Sequence, residues 1–239
     1  MTYPKRLSVL FVSCTFFFAD DTNLFISHTD FSVLMAKANH DLENISKWFK
    51  LNKLSLNIKK SNFIIFTSNN KKYCKSNTCL SIGDNPITQV TSTTFLGVII
   101  HERLNWKIHI SYVCKKISKS IGIIGKFRSL LHHKCLLTLY YSLIYPYLTY
   151  CNIIWGATYP THLHKLHMMQ KRFCRMATYN DWSAHSAPLF KQLNILSIFN
   201  LNKYQTCNFI FKVLFQPVSF PLPCKALFQF NSDVHHFNT

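Results

Sequence analysis

Acidic side chains are scarce in this sequence of 239 residues: nine Asp and Glu stand against 27 Lys and Arg, a net charge of +18 with His neutral. That imbalance argues against a basic ligand and points to a polyanion, nucleic acid first. Glycine and proline are also few, at 5 and 8, which excludes a collagen-like or linker-like chain. The nine cysteines, at 14, 74, 79, 114, 135, 151, 174, 207 and 224, contain no CxxC pair and no regular spacing. A disulfide framework is therefore not expected, and reduced thiols in the nucleus or cytoplasm are. His162, His164 and His167 lack a cysteine or carboxylate at zinc-site spacing. What the chain has in quantity is apolar matter, 48% hydrophobic and 15% aromatic residues, over a length that buries a substantial core.

The few acids and the many cations occupy different halves. Residues 1–102 carry a net charge of +4 and residues 103–239 a net of +14, and from Arg103 to Asn180 there are twelve basic residues and no acid. This is the distribution of a chain whose first part holds a divalent cation and whose second part grips a phosphate backbone.

Two segments imitate membrane signals. Lys5 and Arg6 precede an apolar run from Leu7 to Ala19, as in a signal peptide, but the bulky Phe17 occupies a position where cleavage needs a small residue. Residues 135–164 contain no Asp, Glu, Lys or Arg, yet Pro146, Asn152 and Pro160 and many Tyr, Ser and Thr suit buried helices better than a span. No membrane element is expected.

Patterning predicts an α+β first part and a helical second part. Leu7 to Phe18 and Asn23 to Ser27 read as strands around a tight acidic turn, which places Asp20 and Asp21 at a hairpin tip. Asp30 is placed to cap a helix whose apolar positions Leu34, Met35, Ala38, Leu42, Ile45 and Phe49 would cover one side of the sheet. Leu54 to Leu56, Phe63 to Phe66 and Phe95 to Ile100 read as extended, and Gly83-Asp84-Asn85-Pro86 as a turn between short strands. From Trp106 to Leu131 the apolar period becomes helical, with Lys115, Lys116, Lys119, Lys126 and Arg128 at the intervening positions. Further helices are predicted over residues 134–145, 163–178 and 186–214, with a Pro-containing tail from 216 to 239.

The sharpest chemical feature is Phe18-Ala19-Asp20-Asp21. Adjacent carboxylates repel, and a hard cation such as Mg2+ relieves the repulsion while taking phosphate oxygens into its shell. In two-metal sites one ion activates an attacking hydroxyl and the other steadies the leaving phosphate. A lone Asp-Asp pair is more often an ordinary turn.

The spaced motifs around it, however, resemble the reverse transcriptases of non-LTR retrotransposons, jockey-like elements among them. Phe-Ala-Asp-Asp-Thr at 18–22 resembles their catalytic box. Trp48, the run Asn52-Lys53-Leu54-Ser55-Leu56-Asn57-Ile58-Lys59-Lys60-Ser61 and Ile65-Phe66 resemble the following palm motif. Phe95-Leu96-Gly97-Val98 and the segment from Leu104 to Ile110 resemble the primer grip and its lead into the thumb. Leu139-Tyr140, Tyr147 to Tyr150, Trp155-Gly156 and Gln170-Lys171-Arg172 resemble the helical region beyond.

The resemblance implies a partial polymerase palm over residues 1–102, a helical thumb-like region over 103–215, and template-directed addition of deoxynucleotides to a primer end in the parent enzyme. Asp20 and Asp21 would hold Mg2+, Lys60 would neutralise the departing pyrophosphate, and Phe95, Leu96 and Gly97 would position the primer. Lys107, Lys115, Lys116, Lys119, Lys126, Arg128, Lys171, Arg172 and Arg175 would follow the phosphates of an RNA template and DNA primer. His101 departs from the family, whose members often carry Asp there. The family also needs fingers and a further palm aspartate ahead of the box, whereas the seventeen residues before Phe18 contain no acid. The expectation is thus a fragment, clipped at its start and inactive alone. The alternative is a non-catalytic remnant that binds nucleic acid through its basic half.

Overall fold

The computed structural model describes residues 14–18, 21–66 and 79–215. The fold is mixed α+β, and the chain divides into two compact units: residues 1–93 with 101–104, and residues 94–100 with 105–239.

In the first unit, strands β1 (Cys14–Phe18) and β2 (Asp21–Phe25) pair antiparallel from Cys14 opposite Phe25 to Phe18 opposite Asp21. The second strand thus begins two residues before the patterning predicts, and Asp21 belongs to the strand rather than to the turn. Helix α1 (Phe31–Leu51) starts where Asp30 requires, with the Val33 N–H donating to Asp30 Oδ1 at 3.1 Å. Lys53, at φ 57°, then takes the left-handed position usually given to glycine, and the Leu54 N–H closes the helix end on the Phe49 carbonyl at 2.9 Å.

This closure turns the chain, so the predicted extended segment Leu54 to Leu56 is irregular and leads into a 3-10 turn at Ile58–Lys60. Beyond it β3 (Asn62–Phe63) runs parallel to β5 (Asn85–Gln89), which pairs antiparallel with β4 (Leu80–Ile82) across the Gly83-Asp84 turn. Leu80, Ile82 and Ile87 bury against Met35 and Ala38 of α1. Asn39 on the same helix donates to the Cys79 carbonyl at 3.3 Å and accepts from the Ser81 N–H at 3.2 Å, which occupies the outer edge of β4.

The predicted strand from Phe95 to Ile100 is instead two short strands, β6 (Ser92–Phe95) and β7 (Val98–His101), paired about a two-residue turn. Leu96 and Gly97 have φ of 45° and 79°, the positive values such hairpin turns demand.

The second unit is built on α2 (Lys107–Phe127). Its residues Ile110, Val113, Cys114, Ile117, Ile121 and Ile124 recur at three- and four-residue steps and are all buried. Around it follow α3 (His133–Leu143), α4 (Tyr145–Thr149), α5 (Asn152–Trp155), α6 (Pro160–Ala177), α7 (Ser186–Gln192) and α8 (Ile198–Phe215). Pro146 sits in the first turn of α4, where its missing N–H costs nothing, so it opens a helix instead of ending one.

The single helix predicted over 186–214 is broken between α7 and α8, and the cause is tertiary. Asn194 turns the chain at φ 52°, and the buried Gln170 of α6 captures the segment that leads into α8. Its Nε2 donates to the Leu196 carbonyl at 3.0 Å and the Tyr140 hydroxyl at 3.1 Å, while its Oε1 accepts from the Ile198 N–H at 2.8 Å. Gly156 marks a second close junction: a Cβ there would run into Asn202 Nδ2 and lie 2.6 Å from the Asn152 carbonyl oxygen. Asn202 Nδ2 in turn donates to Asn152 Oδ1 at 3.0 Å, tying α5 to α8.

Replacing Gln170 by Leu keeps the volume but strands the buried groups it serves, and should lower unfolding stability by about 3 kcal/mol. Urea denaturation followed by circular dichroism measures this; a loss within error would show that Gln170 does not hold the α7–α8 break.

Candidate functional site

Of the carboxylate pair, the structure describes only the Asp21 backbone. Asp20 and the Asp21 side chain fall outside the described residues, and the Asp21 backbone opens β2 opposite Phe18. Lys60 is exposed at the end of the 3-10 turn, just ahead of β3. Lys60 belongs to no strand, and the Asp21 backbone belongs to the β1–β2 ribbon, a sheet separate from that of β3. No group of three or more His, Cys, Asp or Glu placed to hold a metal occurs among the described residues. Described cysteines at 79, 114, 135, 151, 174 and 207 are free thiols, and burial pushes the Cys174 thiol up to about 12.

Phe95, Leu96 and Gly97 come together at the β6–β7 turn. A leucine at positive φ costs about 1 kcal/mol, so something must hold it. The Tyr150 hydroxyl donates to the Leu96 carbonyl at 2.6 Å, and a Cβ at Gly97 would touch the Tyr150 ring at 3.5 Å. On the other side of the turn, the Ile99 N–H donates to His109 Nδ1 at 3.3 Å. Trp155, fully buried, donates from Nε1 to the Tyr150 carbonyl at 2.9 Å and packs its ring 5.6 Å from that of His109.

Tyr150 and His109 lie within segments that the sequence reading singles out, yet nothing in their types assigns them this task. The one legible signal is that His109 falls on the apolar side of α2, in step with Val113 and Ile117.

The cations of α2 form a stripe. At 100° per residue, Lys115, Lys119 and Lys126 fall within about 40° of one another, opposite the buried isoleucines and over a rise of about 16 Å. All three are exposed, as are Lys107 and Lys116, whose ammonium lies 5.4 Å from the Tyr112 ring centre. Arg128 stands over the Tyr179 ring at 4.9 Å. On α6, Arg172 is exposed and Lys171 half-buried. Arg175 donates from Nε to the Ala184 carbonyl at 2.8 Å, a bond that shapes the loop after α6. No helix among the described residues is long and apolar enough to cross a membrane.

Comparison with known proteins gives one distant relative. The chain is 24% identical over 166 residues, 67% of its length, to a probable RNA-directed DNA polymerase from transposon X-element of Drosophila melanogaster. The match covers 18% of that polymerase, so the chain spans about a fifth of the relative's length. No protein-family model matches the chain, and no solved structure does.

Burial holds the His109 imidazole below its ordinary value of 6.5, so the ring is neutral in the fold and binds a proton more readily once unfolded. The contribution is complete above that ordinary value and is lost as the pH falls from it toward the depressed value in the fold. His167, depressed by burial first and then by Lys171, acts in the same direction. The urea midpoint should therefore fall between about pH 7.5 and about pH 5.5, and fall less in His109→Asn, which keeps an acceptor for Ile99 without a titrating ring. An equal drop in both proteins would remove His109 as a cause.

Proposed function

We propose that the chain is part of the reverse transcriptase of a non-LTR retrotransposon, contributing one stretch of the palm and a helical thumb-like region that holds the RNA template and DNA primer. The observation that carries this reading is the similarity over 166 residues to a transposon's probable RNA-directed DNA polymerase. The acid-free stretch from Arg103 to Asn180 supports it independently, since a stripe of exposed lysines suits sequence-independent contact with phosphates.

In this reading Asp20 and Asp21 contribute to holding Mg2+, and the fit rests on donor chemistry: two adjacent hard carboxylates. The metal, when bound, supplies charge stabilisation for nucleotidyl transfer from a deoxynucleotide to a primer 3′ hydroxyl. Lys60, exposed and cationic, is the residue suited to the leaving pyrophosphate. Phe95, Leu96 and Gly97 set the primer end, with Gly97 allowing close backbone approach. Lys107, Lys115, Lys116, Lys119, Lys126 and Arg128 hold the duplex, with Lys171 and Arg172 on α6 extending the grip. Arg175, whose Nε serves the Ala184 carbonyl, contributes mainly by shaping the neighbouring loop.

A non-catalytic binding role rests on the same charge distribution and differs in being indifferent to the aspartates. Any Mg2+-dependent primer extension by the purified chain should fall at least about a hundredfold in Asp20→Ala and persist in Asp84→Ala. Extension that survives Asp20→Ala would remove that residue from the metal site.

Binding to an RNA–DNA primer-template should weaken linearly on a log scale with salt, and Lys115, Lys119 and Lys126 changed together to Ala should reduce the slope by about 2 to 3. Fluorescence anisotropy across a salt series measures both. A slope near zero, or one unchanged by the substitutions, would overturn the phosphate-gripping role of α2.

A further inference from the structure

We infer that Tyr150, backed by His109, is the positioning residue that fixes the Leu96–Gly97 turn; this rests on the reading of residues 95–97 as the primer-positioning segment and extends it to residues that do not touch the primer. A two-residue turn at the end of two four-residue strands has little of its own to hold it. Leu96 worsens matters, because a side chain bearing a Cβ disfavours the positive φ that the turn needs.

The turn is nonetheless held at both of its flanks by the helical unit. On one side the Tyr150 hydroxyl donates to the Leu96 carbonyl at 2.6 Å and the ring edge lies against Gly97. On the other, His109 Nδ1 accepts the Ile99 N–H at 3.3 Å, which leaves the ring proton on Nε2. The two anchors share one foundation. Trp155, wholly buried, holds the Tyr150 carbonyl with its Nε1 and lies against the His109 ring.

Tyr150 is therefore not a loose surface phenol, although it is 53% exposed. Its backbone is fixed from inside the unit while its hydroxyl reaches the turn. An outward-facing tip with a strained residue and two side-chain anchors, one of them 54 residues on, is the arrangement expected where a backbone must meet a ligand at a defined place. Tyr150 governs placement only: the overall grip on the duplex comes from the lysines of α2, and loss of the Tyr150 hydroxyl should leave it untouched.

Hydrogen exchange on the full chain tests the tether directly. Tyr150→Phe keeps the ring and removes the hydroxyl, and amides of residues 95–100 should exchange about fivefold or more faster while those of α2 and α6 stay unchanged. Tyr179→Phe removes a phenol that bonds the Arg128 and Leu131 carbonyls in the same unit, and should leave the turn unaffected. Adding Leu96→Gly to Tyr150→Phe should restore slow exchange, because glycine adopts positive φ freely. Unchanged exchange in Tyr150→Phe, equal acceleration in Tyr179→Phe, or no restoration by glycine would each overturn the inference.

A primer ending in 4-thiothymidine, annealed to an RNA template and irradiated, supplies the functional arm. The unaltered chain should crosslink within residues 95–97, and Tyr150→Phe should lose most of that crosslink while its duplex affinity stays within about twofold. No crosslink there in the unaltered chain would sink the primer reading, whatever the exchange data say about the tether. A crosslink equal in both proteins would overturn the positioning role and leave the primer reading standing.

Discussion

The helical unit depends on one constraint: the isoleucine-rich side of α2 must be buried. Ile110, Val113, Ile117, Ile121 and Ile124 are each 2% exposed or less and form the centre against which α6 and its neighbours pack. Each such side chain contributes roughly 1.5–3 kcal/mol when fully buried, so together they fix the rotation of the helix about its axis. Once that rotation is set, Lys115, Lys119 and Lys126 must point the other way. Like charges four residues apart cost only a few tenths of a kcal/mol, far too little to alter the choice. The basic stripe is thus a consequence of core burial, but its uniform sign is not. Burial would be served as well by alternating Glu and Lys, and the stretch from Arg103 to Asn180 has no acid at all.

Apolar burial fixes rotation poorly at the short elements, and there a few polar side chains decide. Gln170 specifies where α8 begins, Asn202 locks α5 beside it, and Asn39 seats β4 on its helix. Each is a satisfied bond set within a packed unit, the circumstance in which polar groups specify one arrangement rather than destabilise it. The Tyr140 hydroxyl belongs to this class: burial raises its pKa well above the usual phenol value, so it stays protonated beside Gln170. Tyr150 and His109 do for the hairpin turn what Gln170 does for the helix break.

Long periodic elements were legible in the sequence because their signals are local. Asp30 announces α1, the isoleucine period announces α2, and Gly83-Asp84 announces the turn between β4 and β5. The break at Asn194 was not legible, because its cause, Gln170, stands more than twenty residues earlier and acts through space. The turn at Leu96 was hidden for a related reason: leucine is no turn former, and only the bond from Tyr150, 54 residues on, shows what holds it. For the candidate site, composition alone located the cations, whereas the distinction between Arg175, which is tied to the Ala184 carbonyl, and the outward lysines of α2 required coordinates.

On the proposed reading, that distinction bears on what the basic half contacts. Two of the arginines are drawn into the fold, Arg128 onto the Tyr179 ring and Arg175 onto the Ala184 carbonyl. Planar guanidinium groups suit such directional, stacked contacts, and those are also the contacts that would discriminate one base from another. What α2 offers outward is lysine, a flexible point charge suited to phosphate and blind to sequence. An enzyme that copies whatever template it is given needs a grip of that kind, with its geometric demands confined to the primer end. On the proposed reading the chain divides the two tasks accordingly: compliant lysines hold the duplex along α2, and a turn held by Tyr150 and His109 defines one point against which the primer end is set.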